Sequence, residues 1–168
     1  QIDGIFEQLA HYICHYEPDD EAVCMARLCL KDAFACALLA QVDEDALIRV
    51  CPIIPEKGEF SVLGTDWKLP YSRATFALGA FIRWLDFNDT YVAKEFSHPF
   101  DNIAALIYAG ILANTLKFTL TETSLDDLLK TIVKAYEIQG VLAATFCLHE
   151  QGFDHVPWVK VATVGCAA

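Results

Sequence analysis

Apolar residues recur at three- and four-residue spacing through most of this chain, which is the signature of helices that bury one face. The clearest case is Ala22, Met25, Ala26, Cys29, Ala33, Cys36 and Ala37. Their small size predicts close helix packing. A first helix is predicted from about Ile2 to Tyr16, stopping before Pro18. Asp19 or Asp20 then caps a second, running to about Gln41. A short helix near Glu44 to Val50 precedes Cys51 to Pro70, where Pro52, Pro55, Gly58, Gly64 and Pro70 punctuate extended pieces at Phe60 to Leu63 and Trp67 to Leu69. That segment reads as a loop or small hairpin. Further helices are predicted from Tyr71 to about Leu85, from Asp101 to about Leu116, and from about Leu125 to Leu148, the last with Ser124 as N-cap and Asp127 three positions on. A final helix opens near Pro157 and runs to Ala168. The fold class is therefore all-α, a bundle-like helical domain over residues 1–168 with one irregular segment near 51–70.

With 168 residues the chain has room for one domain with a real core. Its apolar fraction of 55% and mean hydropathy of +0.33 exceed what soluble domains usually show. Some apolar surface is expected to meet something outside the chain. A membrane is not expected, because the uncharged run from Asn102 to Leu116 falls short of the ~20 residues a bilayer needs. Gln1 to Ala10 lacks the basic start of a signal peptide. Seven cysteines without CxxC spacing suggest buried free thiols in a reducing compartment, with the cytoplasm as the expected location. A net charge of −11 argues against nucleic acid as a partner. Val161 to Ala168 is still helical in pattern where the sequence ends, and residue 1 is Gln, so the sequence is expected to be part of a longer polypeptide.

Three stretches depart from a plain helical core. In Trp84-Leu85-Asp86-Phe87-Asn88-Asp89-Thr90-Tyr91, carboxylates, an amide and a hydroxyl follow an apolar helix. This is either a polar helix end or a place where Asp86, coming straight after a buried run, has a perturbed proton affinity. In Ser97-His98-Pro99-Phe100-Asp101-Asn102, His98 stands at the mouth of the most apolar helix, and in Gly152-Phe153-Asp154-His155-Val156-Pro157, His155 stands at the mouth of another. Each is a structural histidine or a proton-exchanging group suited to acid–base work near neutral pH. No His or Cys spacing forms a compact metal-ligand set. His11, His15 and His149 fall in or at the ends of ordinary helices and receive no role; Arg83, one turn from Asp86, is expected to pair with an acidic neighbour.

Four separated blocks occur in characteristic order: Trp84 to Thr90, His98 to Asn102, Ala135-Tyr136-Glu137-Ile138-Gln139-Gly140, and Gly152 to Ala162. Together they resemble the MmgE/PrpD family, and within it the branch acting on 2-methylcitrate. The resemblance implies a helical domain that is joined, in the intact enzyme, to a smaller α+β domain absent here, and usually a homodimer. It implies loss of water from a tricarboxylate, 2-methylcitrate, to give 2-methyl-cis-aconitate in propionate breakdown, with no metal, iron–sulfur cluster or other cofactor. Carried over residue by residue, Asp86, His98 and His155 are catalytic and Thr90 binds substrate, with Asn102 supporting His98 at the substrate site. One imidazole would take the proton beside a carboxylate while the other acidic group assists departure of hydroxide, and Asp86 would orient or tune one of them. The family's lysines and a further histidine would lie beyond residue 168, which accounts for only twelve Lys and Arg, unclustered, in a chain meant for an anionic ligand. Phe100 stands where a small Ser is usual, and His149 to Gln151 also departs from the usual pattern. The alternatives are decarboxylation of cis-aconitate to itaconate, and an inactive helical dimerisation module.

Overall fold

The computed structural model describes residues 4–50, 57–117 and 122–167. Among them lie seven α-helices: α1 (Gly4–His15), α2 (Asp20–Ala40), α3 (Glu44–Val50), α4 (Tyr71–Trp84), α5 (Ile103–Leu116), α6 (Leu125–Thr145) and α7 (Val156–Ala167). Two antiparallel hairpins complete the domain, pairing β1 (Phe60–Ser61) with β2 (Lys68–Leu69) and β3 (Tyr91–Val92) with β4 (Phe96–Ser97). The all-helical expectation holds.

Local chemistry sets the helix starts. Asp19 stays extended and its Oδ1 accepts from the Ala22 N–H at 2.8 Å, capping α2. Ser124 and Asp127 form a reciprocal capping box at α6, each satisfying the other's backbone N–H. The β1–β2 turn passes through Gly64 at φ +78, where a Cβ would also strike the Gln41 side chain. Cys51, Pro52 and Pro55 of the expected irregular segment lie outside the described residues.

α2 packs against α4 and α6, α4 against α5, and α6 against α7. Ala26, Ala33, Ala37 and Ala40 on α2 and Ala74 and Ala77 on α4 are buried, and such short side chains let the helices approach closely. Met25, expected on the buried face of α2, is instead 54% exposed and borders a cleft toward α6. Leu129, Ile132, Ala135, Ile138 and Leu142 run down the core side of α6 at helical spacing. α5 joins the core through Ile103, Ala104, Leu106 and Tyr108, and the Tyr108 hydroxyl donates to the Ser61 carbonyl at 2.7 Å, fastening the first hairpin.

Two boundaries differ from the sequence pattern. The helix expected from Asp101 begins as a 3-10 turn, Pro99–Asn102, and becomes α only at Ile103. Pro99 fits the first turn without needing an N–H partner, and the Asn102 side chain donates back to the Pro99 carbonyl at 2.8 Å, tightening it. α6 ends at Thr145 rather than Leu148 because Phe146 turns extended and the following N–H groups bond across to Glu95.

Considerable apolar surface remains exposed, including Phe6, Val42, Ile48, Phe76, Phe87 and Val92. No helix among the described residues is long and apolar enough to cross a membrane. The thiols are less hidden than expected: Cys14 and Cys24 are exposed, and only Cys36 of those described is buried.

Asn102 is fully buried, and besides Pro99 it donates to Gln139 Oε1 at 2.6 Å and accepts from Thr163 Oγ1 at 2.5 Å. Replacing Asn102 with Ala should cost about 2–4 kcal/mol, because it leaves buried partners unsatisfied. Replacing the solvent-facing cap Ser124 with Ala should cost about 1 kcal/mol. Denaturant midpoints of the two variants check the order; equal losses would show that the buried amide does not tie the core.

Candidate active site

The β3–β4 hairpin delivers His98 immediately after β4, and the link from α6 to α7 delivers His155 immediately before α7. Both imidazoles are buried, with ring centroids 5.3 Å apart and an edge-on arrangement. The two helix mouths singled out in the sequence therefore meet. Phe96 forms a shared wall, with its ring 6.1 Å from His98, 5.9 Å from His155 and 5.4 Å from His149. Thr90 Oγ1 lies 3.4 Å from His98 Nδ1. Asp154 Oδ1 is 2.9 Å from His155 Nδ1 and Asp101 Oδ2 is 3.8 Å from His155 Nε2, yet neither ring nitrogen has a hydrogen-bond partner among the described residues. Two nearby imidazoles, one with both nitrogens unsatisfied, form an arrangement that can hand protons to and from a third group.

Asp86 is not brought against this pair. Its side chain is 65% exposed, it follows the C-cap of α4 in the left-handed region at φ +55, and it pairs with Arg83 as that arginine was expected to pair. The buried face of α4 ends at Ile82, before Asp86 is reached. Arg83 Nε also stands 4.0 Å from Asp101, and its guanidinium lies 5.6 Å from the Phe100 ring centroid. Asp86 therefore reaches the histidines only through Arg83 and Asp101. Among the described residues Asn102 makes no hydrogen bond to either imidazole. Its amide is engaged with Pro99, Gln139 and Thr163, and it holds the turn directly behind His98.

Asp101, 3.8 Å from His155 Nε2, is a second acidic group beside the pair, and the sequence pattern read it only as a helix start. Burial pushes its carboxyl up to about 6, with Arg83 and His98 opposing that rise. A carboxylate within one helical turn of His98 was the available signal. Asp89, next to Thr90, is likewise held above the ordinary carboxylate range by burial while accepting from the Tyr136 hydroxyl at 3.2 Å. His98 lies within electrostatic reach of both carboxyls. His149, given no role from sequence, sits in a 3-10 turn beside Phe96. A cleft of about 400 Å³ between α2 and α6 is lined by Met25, Cys29, Pro99, Tyr136 and their neighbours, and by neither imidazole. Among the described residues no group of His, Cys, Asp or Glu is placed to hold a metal ion.

A helical domain whose loops bring together two imidazoles and an up-shifted carboxyl holds groups able to exchange protons. The chain belongs to the MmgE/PrpD family: residues 7–168 match the MmgE/PrpD N-terminal domain. It is 34% identical to a probable 2-methylcitrate dehydratase of Saccharomyces cerevisiae over 97% of this chain and 33% of that protein. It is 33% identical to the 2-methylcitrate dehydratase of Cupriavidus necator and 32% identical to that of Escherichia coli K12, over 99% and 100% of this chain and 36% of each relative. The chain thus spans about a third of the length of these curated relatives.

The raised Asp101 carboxyl gives a pH signature. Its folded value exceeds the ordinary 3.8, so the favourable contribution is fully present below about 4 and is lost as pH rises through about 6. Asp101→Asn removes the charge that burial penalises, so the variant should gain stability relative to the wild type between pH 4 and 7. Carboxyl-carbon NMR should place the Asp101 midpoint near 6. A midpoint near 4 would mean that burial does not dominate at this carboxyl.

Proposed function

We propose that this chain forms the helical part of a hydro-lyase that removes water from 2-methylcitrate, giving 2-methyl-cis-aconitate by metal-independent acid–base chemistry. The observation that carries the proposal is the convergence of buried His98 and His155. The names of the relatives at 32–34% identity support the substrate class and, through the substrate, a place in propionate breakdown.

In this scheme one imidazole removes the proton on the carbon next to a substrate carboxylate. The other imidazole donates a proton to the departing hydroxyl, so that C–H and C–O bonds break, a C=C bond forms, and water leaves. Thr90, against His98 Nδ1, supports that ring and meets the substrate. Asp101 faces His155 Nε2, with Arg83 and Asp86 behind it, and helps orient that ring. The acidic balance of this chain leaves the tricarboxylate's countercharge to groups elsewhere in the intact protein, and the exposed apolar faces favour a homodimer.

The test is ultraviolet absorbance on adding 2-methylcitrate to the longest native form of the polypeptide, without metal. The conjugated alkene should appear directly. His98→Ala and His155→Ala should each lower turnover by about 10²–10⁴-fold with helix content retained. Undiminished turnover in either variant removes that histidine from the scheme. Release of carbon dioxide from cis-aconitate instead would point to decarboxylation, and silence with both substrates would point to a non-catalytic helical module.

A further inference from the structure

Glu95 lies in the turn of the β3–β4 hairpin, three residues before His98, and is only 2% exposed although Tyr91, Val92 and Phe96 of the same hairpin are exposed. A carboxylate taken out of water needs strong partners. All those it has lie on the opposite arm of the site. Its Oε2 accepts from the Leu148 N–H at 2.7 Å and the His149 N–H at 3.0 Å, and its Oε1 meets His149 Nδ1. Its own N–H donates to the Ala143 carbonyl at 2.9 Å. Burial acts to raise its pKa, and the bonds to His149 and Leu148 outweigh burial and hold it below the ordinary range.

These bonds join two segments far apart in sequence. On one side the chain continues through Phe96 and Ser97 into His98; on the other, Leu148–Gln151 continues into His155. Phe96 then stacks on the His149 ring that Glu95 holds, and the same Phe96 ring touches both His98 and His155.

We propose that Glu95 is a positioning residue for the acid–base pair: by clasping the turn before His98 to the link before His155, it sets the separation of the two imidazoles. Its rate readout rests on the dehydratase reading, while its accessibility readout does not. The role depends on reach rather than on charge, so two conservative variants separate the cases. Glu95→Gln keeps the length and an oxygen for the Leu148 and His149 N–H groups. Glu95→Asp keeps the charge and withdraws it by one methylene.

The experiment uses the full-length native polypeptide and the two variants, assayed below their unfolding midpoints with 2-methylcitrate. The Asp variant should lose about 100-fold in kcat with KM near the wild-type value, as expected when catalytic groups shift by about 1 Å. The Gln variant should stay within about threefold of wild-type kcat, its backbone bonds being intact. In parallel, carbethoxylation by diethyl pyrocarbonate, followed by peptide mass spectrometry, should proceed faster at His98 and His155 in the Asp variant than in the wild type or the Gln variant. Wild-type kcat and protection in the Asp variant would overturn the proposal, as would a loss in the Gln variant at least as large as in the Asp variant, which would show that reach does not decide the effect. If the wild type itself is inactive on the tricarboxylate, the dehydratase reading fails and the carbethoxylation comparison alone decides whether Glu95 sets the pair.

Discussion

One buried amide holds together the elements on which the candidate site depends. Asn102 is enclosed at the point where a 3-10 turn becomes α5, and its side chain reaches the turn itself, α6 through Gln139 and α7 through Thr163. Hydrogen bonds in such surroundings are strong because no water competes, and costly to leave unmade for the same reason. Apolar packing brings the helices together without fixing how they slide. The Asn102 knot removes that freedom at the place where His98 enters and close to where α7 carries His155 away.

The electrostatics near the two imidazoles are those of a chain rich in acid. Asp101 and Asp89 are both kept above the ordinary carboxylate range by burial, and Arg83 is divided between Asp86 and Asp101. Carboxyl groups therefore stand close to the histidines, together with the Arg83 guanidinium. A tricarboxylate approaching the same rings would need positive charge in front of them, and a net charge of −11 leaves this chain with little to spare. The proposed division of labour follows: these residues supply the proton-exchanging pair and its backing, and the anion's countercharge comes from elsewhere in the polypeptide.

Helices, caps and breakers were legible because each is encoded within a few residues: Asp19 before α2, Ser124 with Asp127 before α6, and Gly64 in the first hairpin. His98 and His155 stood out because each interrupts an apolar pattern at a helix entrance. What sequence could not show was direction and distance. Asp86 read either as a polar helix end or as a carboxylate of perturbed proton affinity, and its left-handed backbone just past α4 leaves it exposed. Asn102 carried the family's expectation of a substrate contact, whereas its amide faces inward. Asp101 read only as a helix start and Glu95 drew no reading, and only the fold places them against partners more than fifty residues away in sequence. The second hairpin, two residues per strand, is too short to leave a periodic trace.

The backbone at position 86 has a consequence for how this family member could change over time. A non-glycine residue in the left-handed region just past a helix end carries a conformational penalty of about 1 kcal/mol, which glycine would relieve. Mutational drift toward greater foldability would therefore favour glycine there. The Asp86 side chain keeps Arg83 tethered beside Asp101, so glycine at position 86 would exchange that tether for a relaxed backbone.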